Sequence, residues 1–250
     1  MTSKFICKAC GQCCSNIRGL IGEKDKQFLK EFAYGRLPLV ALKPVEELTF
    51  PLWDWEAKRF ISQAEEKGID HKIIPSRVMY DLNTNSTIVV TYAIDSASCT
   101  FLKDNKCQVY ENRAFICRFF PFQHGPFLKM DEKITKESMF GSCPSITQIL
   151  QEVDESSQGI LVKQLYDSFG DNFLAVVQAD LATEWINSKI IYILQNRQIR
   201  PALNYPYDKL LKRIETSQMV DLSDFMIKNA VVSKGDMEKA ISRFENFEDA

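Results

Sequence analysis

Two kinds of apolar pattern divide this chain. Between Glu23 and Tyr34, Phe28, Leu29, Phe32 and Ala33 share one stripe, which predicts a helix closed by Gly35. Leu37 to Thr49 carries two prolines and reads as irregular. Asp54 is placed to cap a helix running to about Lys67 and ended by Gly68. From Ile73 the period changes to that of a strand. Arg77 to Leu82 and Thr87 to Ile94 are rich in β-branched and aromatic residues, and Asn83 to Ser86 between them is turn chemistry, so a hairpin is predicted. A second, smaller hairpin is predicted from Cys99 to Tyr110. Its tip is Lys103 to Lys106, and Cys99 and Cys107 stand at its feet. The segment from Glu111 starts in helical fashion, and Pro121 forces an extended exit from Phe120. Phe127 to Met130 and Lys133 to Phe140 suit two short strands, followed by a compact turn at Gly141 to Pro144.

From about Ile146 the pattern is helical. Gly159 to Ser168 breaks at Gly170. Asp171 to about Gln195 carries Phe173, Leu174, Val177, Leu181, Trp185, Ile186, Ile190 and Leu194 at helical spacing. Pro201 and Pro206 mark a linker. Short helices are predicted at Asp208 to Thr216, Asp221 to Asn229 and Gly235 to Asn246, the last capped by Ser233. The fold class is therefore α+β, with a small cysteine-rich domain of short hairpins and helices over residues 1–145 and an all-helical region over 146–250.

A net charge of −2 and a hydrophobic content of 45% describe a globular chain with no bulk bias toward nucleic acid or anionic membrane. The last three helices have the length of a helix-turn-helix reader, but without a basic surplus they read as packing helices or as a docking face for a protein partner. Trp53 and Trp55 read as core-rim aromatics rather than a stacking platform, because no basic cluster accompanies them. The start of the sequence lacks an apolar signal region, and no run approaches the roughly 18 apolar residues of a membrane span. A cytoplasmic location is the expectation. In that compartment the eight cysteines read as metal ligands rather than as disulfides.

Four of the eight fall in one octapeptide, Cys7-Lys-Ala-Cys10-Gly-Gln-Cys13-Cys14. Packing has no use for four thiols there. A metal does, since each C-x-x-C turn brings two sulfurs close enough to share an ion. Adjacent side chains diverge along regular backbone, so Cys13 and Cys14 are not expected to serve one ion equally. Two nearby sites, or a ligand plus a supporting thiol, both fit. Cys99, Cys107, Cys117 and Cys143 complete the candidate set. Thiolates around a divalent ion carry net negative charge and call for cations, amide donors and apolar cover. Lys4, Lys8, Arg18, Lys103, Lys106, Arg113 and Arg118 are near in sequence, as are Phe5, Phe101, Phe115, Phe119, Phe120 and Phe122. His71 and His124 read as solvated, packed or supporting side chains before they read as ligands. Spacing leaves the metal open. Four thiolates suit zinc, and C-x-x-C-x-x-C is half of a ferredoxin-type cluster loop, with the proline of that loop absent after Cys14 but present after Cys143 as Pro144.

Cys7-x-x-Cys10-x-x-Cys13-Cys14, Cys99-x-Phe-Leu, Cys107-x-Val-Tyr-x-x-Arg113 and Cys117-Arg118-Phe-Phe-Pro121-Phe together resemble the YkgJ-type family, the C-x-x-C-x-x-C-C proteins described as zinc- or iron-chelating. The resemblance covers roughly residues 5–145 and implies all eight cysteines as ligands. It departs at Arg113-Ala114, where the family has Arg-Pro. Some relatives are linked to flagellin lysine methylation, so the resemblance also implies an alternative reading, an iron–sulfur-dependent enzyme such as a protein-lysine methylase. The residues themselves lend that little support: there is no Gly-rich nucleotide loop among the 10 glycines and no Ser-His-Asp set. A thiol redox switch at Cys13-Cys14 is a further alternative.

Overall fold

The computed structural model describes residues 4–15, 17, 37–44, 47, 49–120, 143–152 and 158–246. The helix expected over Glu23 to Tyr34, the strands expected over 127–130 and 133–140, and Arg18, Pro121, Phe122 and His124 lie outside the described residues.

In chain order, α1 (Gln12–Ser15) is a single turn that ends the cysteine octapeptide. It is followed by β1 (Val40–Ala41), β2 (Pro51–Trp53) and α2 (Asp54–Lys67). Gly68 closes α2 at φ 63°, the left-handed cap that only glycine adopts without cost. The expected N-cap is displaced by one residue: Trp53 occupies the cap, and Asp54 is the first helical residue. The Asp54 carboxylate accepts instead from the Trp55 N–H at 2.9 Å and from the backbone N–H (2.9 Å) and hydroxyl of Ser223.

The predicted hairpin is present as β3 (Ile73–Asp81) and β4 (Ser86–Ile94), joined by the expected turn. Period-two alternation sorts its side chains between two cores. Met79, Ile88 and Val90 face one side, Val78, Tyr80 and Val89 the other. β1 pairs antiparallel with β3, and β2 covers the far half of β4 through Leu52↔Tyr92 and Trp53↔Thr91. The small hairpin is β5 (Leu102–Lys103) and β6 (Lys106–Cys107), with Asp104 and Asn105 both at positive φ in its tip. Such φ values suit the two-residue turn of a twisted hairpin. A 3₁₀ turn at Tyr110–Asn112 then leads to α3 (Phe115–Arg118).

Beyond the cysteines come α4 (Pro144–Glu152), α5 (Gln158–Phe169) and α6 (Asp171–Gln195). Pro144 opens α4 at the position where its missing N–H costs nothing. The bounds of α6 are those expected, and its buried face is so in part. Phe173, Val176, Ala182, Ile186, Ile190 and Ile193 are buried, while Leu181 is 54% exposed. α6 is apolar over much of its circumference, so apolar spacing alone did not single out the buried face.

The remaining elements are α7 (Tyr207–Thr216), β7 (Gln218–Asp221), α8 (Leu222–Lys228) and α9 (Lys234–Glu245), the last capped by the Ser233 hydroxyl as expected. The all-helical expectation for 146–250 is corrected at β7. This strand pairs parallel with the near half of β4, from Ser86↔Gln218 to Val89↔Asp221. Tertiary pairing explains it, since four residues without alternation carry no strand signal of their own. The largest core accordingly takes Met79, Ile88 and Val90 from the sheet together with Ile186, Ile190, Ile193, Leu222 and Met226 from the helices. Among the described residues no helix is long and apolar enough to cross a membrane.

Candidate metal centre

The cysteine octapeptide is extended until two turns bend it. Ala9 has φ 49° and Gly11 φ 75°. At Gly11 a side chain is disfavoured twice, by the left-handed φ and by the Asn105 Oδ1, which lies 3.0 Å from where a Cβ would stand. The Gly11 carbonyl then accepts the N–H groups of Cys14 (3.0 Å) and Ser15 (2.8 Å) and the Ser15 hydroxyl (2.7 Å), which folds α1 and sets Cys13 and Cys14 on it.

This turn is stitched to the second cysteine segment. The Cys99 N–H donates to the Cys14 carbonyl at 2.7 Å, and the Ile17 N–H to the Ala97 carbonyl at 2.8 Å. The β5–β6 pairing places Cys107 opposite Leu102, and the Leu102 N–H returns to the Cys99 carbonyl, so both feet of the hairpin stand together as expected. Cys117 lies on α3, and Cys143 immediately precedes α4, its carbonyl accepting the Ile146 N–H at 3.0 Å.

All eight cysteines line one cavity of about 110 Å³. Cys7 and Cys10 are exposed at its edge, and the other six are half-buried. Phe5, Phe50, Phe60, Leu102, Ile116 and Phe120 supply apolar wall, and Lys8 and Arg113 supply positive charge. Phe50, Phe60 and Asn172 are wall residues that the sequence reading did not find; they come from distant elements and no local motif marks them. Arg118 was expected among the cations around the sulfurs but instead makes an ion pair with Glu245. Phe101 and Phe115 are buried in packing clusters rather than in the wall.

The sulfurs of Cys13 and Cys14 stand 3.6 Å apart. The expectation that these neighbours diverge is corrected here, because the single turn of α1 tips both side chains to the same side. Sulfurs sharing a tetrahedral ion at ~2.3 Å stand about 3.8 Å apart, so this pair already has the spacing of two ligands on one ion. Among the described residues no three His, Cys, Asp or Glu side chains are set closely enough to hold an ion. The remaining sulfurs therefore surround a space rather than a point. The family model "putative zinc- or iron-chelating domain", CxxCxxCC, matches residues 6–144.

The chain belongs to the CxxCxxCC family.

No curated protein and no solved structure matches it. The matched segment contains every cysteine and ends as α4 begins. In this CxxCxxCC segment burial and neighbouring sulfurs shift the thiols. The hydrogen bond from Cys14 lowers the Cys13 thiol to about 7, and the same bond drives its partner Cys14 up. Burial raises Cys99 to about 11 and pushes Cys107 and Cys117 up, and repulsion between neighbouring cysteines adds to each. Arg113 opposes the rise at Cys107 and Cys117. Its guanidinium packs 3.9 Å over the Tyr110 ring and its Nε donates to the Tyr110 carbonyl, which fixes it at the cavity wall. Without a cation the cluster pays for every negative sulfur; a bound metal inverts that balance and releases the protons.

Proposed function

We propose that this protein binds zinc or iron through thiolates of Cys7, Cys10, Cys13, Cys14, Cys99, Cys107, Cys117 and Cys143. The observation that carries the reading is the convergence of all eight on one cavity from four separate stretches of chain. Cys13, Cys14, Cys99, Cys107, Cys117 and Cys143, which are half-buried, form the inner donors. Cys7 and Cys10, which are exposed, close the edge. The cations at Lys8 and Arg113 match the net negative charge of a metal–thiolate group, and neither makes an ion pair among the described residues.

The donor set suits either metal, and the size of the space favours a group of several atoms. One tetrahedral ion draws four sulfurs around a single point. A cavity of about 110 Å³ holds several waters' worth of volume and is rimmed by twice the sulfurs one ion needs. An iron–sulfur cluster, or two ions sharing the eight thiolates, fills it. The apolar wall would then limit solvent at the sulfurs and tune the potential of a cluster.

Anaerobic purification followed by elemental analysis for zinc, iron and acid-labile sulfide, with the absorption spectrum of the same sample, tests the proposal. Iron with sulfide establishes a cluster protein, and zinc without sulfide establishes a zinc chelator. Metal-free protein with its cysteines oxidised to disulfides refutes the proposal.

A further inference from the structure

The helices beyond residue 144 grip the segment that carries Cys117 at several points. Arg118 follows Cys117 directly. Its Nη1 donates to the Glu245 carboxylate at 2.9 Å and its Nη2 to the Gln178 side-chain oxygen at 2.6 Å and the Glu245 carbonyl at 3.3 Å. The other oxygen of the Glu245 carboxylate accepts from Arg59 of α2 at 2.9 Å. Asn172 of α6 donates to the carbonyls of Arg118 and Phe120, both at 2.8 Å, and lines the cavity as well. Gln178 is buried and also reaches the Glu245 carbonyl at 3.4 Å. Backbone carbonyls, a guanidinium and a carboxylate are thereby fixed just past one sulfur.

We propose that Glu245, Gln178 and Asn172 are positioning residues for Cys117, so that helices outside the matched segment set how tightly the metal is held. The inference rests on the metal-binding reading above. It assigns these side chains no contact with the metal. Glu245 holds Arg118 and Arg59 in register by satisfying both, and Asn172 holds the chain just past Cys117. Residues that orient a metal ligand in this indirect way change affinity ~10–100-fold when removed.

The test uses full-length protein purified anaerobically with its metal. Metal release to a chromogenic chelator for zinc or ferrous iron is followed in wild type, Glu245→Gln, Asn172→Ala and Lys58→Gln. Lys58 is the control, because it sits on the same helix as Arg59 but pairs with Asp221 (2.8 Å) and Asp224 (3.1 Å), away from the cysteines. Release should be ~10-fold faster in Glu245→Gln and in Asn172→Ala. The thiolate-to-metal absorption band should shift in both, and Lys58→Gln should keep the wild-type rate and band. Wild-type rates and bands in both site variants overturn the inference while leaving metal binding intact. Equal acceleration in Lys58→Gln also overturns it, because the effect is then general destabilisation. Wild type that carries no metal overturns the metal-binding reading itself and this inference with it. If Glu245→Gln is recovered unfolded, Asn172→Ala decides by the same criteria, since it touches no ion pair.

Discussion

Replacing Glu56 by glutamine should change the way stability depends on pH. The Glu56 side chain is fully buried on α2, where one carboxylate oxygen accepts the Phe115 N–H at 2.8 Å and the other the Trp53 N–H at 3.0 Å. It therefore ties the start of α2 to the start of α3, which carries Cys117. Burial raises its pKa from the ordinary 4.5 to about 7; the two N–H groups and Arg59 oppose the rise, and Glu245 adds to it. A folded pKa above the unfolded one means that the native state binds the extra proton. The contribution is favourable below the unfolded value and is lost as pH climbs from about 4.5 through about 7. At about 1.4 kcal/mol per pH unit the loss across that window is about 3 kcal/mol. Glutamine does not titrate, so Glu56→Gln removes this slope. Its single oxygen can serve only one of the two N–H groups, which costs about 1–3 kcal/mol at every pH. At pH 5 the variant should be the less stable protein by that amount. By pH 8 the deficit should vanish or reverse, because the wild-type carboxylate is then charged in a buried site. Urea melts of both proteins at matched metal content, at pH 5, 6, 7 and 8, measure the difference, in which the cysteine titrations common to both cancel. Parallel stability–pH profiles would refute the argument.

Cys14→Ser should lower the metal content per chain. It should also lower Tm by roughly 5–10 °C, as one of the four thiolates that a single ion takes from the eight is lost from a contribution on the order of 10 kcal/mol per ion; Cys10→Ser, at the exposed edge, should do less, and unchanged stoichiometry and Tm in Cys14→Ser would remove that sulfur from the donor set. Gly11→Ala should cost about 1–2 kcal/mol in thermal unfolding, because alanine resists a φ of 75° and meets the Asn105 Oδ1; a neutral result would mean that the turn rearranges freely. Ile190→Ala, at a fully buried position of α6 in the core it shares with the sheet, should cost about 2–5 kcal/mol in urea unfolding with the metal content per folded chain unchanged.

Much of the fold was legible because the relevant signals are local. Gly68 ends α2 by its own conformational freedom, β-branched runs on either side of Asn83 to Ser86 make β3 and β4, and Gly170 and Gln195 bound α6. What was hidden depends on distant partners. Gln218 to Asp221 becomes a strand only because β4 offers an open edge, and Leu181 of α6 is exposed although it falls at the same apolar spacing as the buried Ile186 and Ile190. At the centre, the spacing of the eight cysteines marked them as one candidate ligand set, and all eight line one cavity; the small hairpin correctly brought Cys99 and Cys107 together. The approach of Cys13 to Cys14 was not legible, because it follows from the tilt of one short turn. Nor was the role of Arg118: adjacency to Cys117 suggested a counter-charge for thiolates, and the partner that claims it, Glu245, is 127 residues away.

The parallel pairing of β7 with β4 joins residues as remote as Thr87 and Ser217, whose hydroxyls bond across 130 positions of chain. Closing so large a loop is slow compared with forming the β3–β4 hairpin. During synthesis the near half of β4, with Ile88 and Val89, emerges long before the strand that will cover it. That bare edge is a template for pairing with another nascent copy. The cysteines emerge in the same interval, and a thiol unprotected by metal is open to oxidation. An early metal would shield the thiols and, by tying residues 7–14 to 99–117 before the last strand docks, narrow the conformations from which two unfinished chains could entangle.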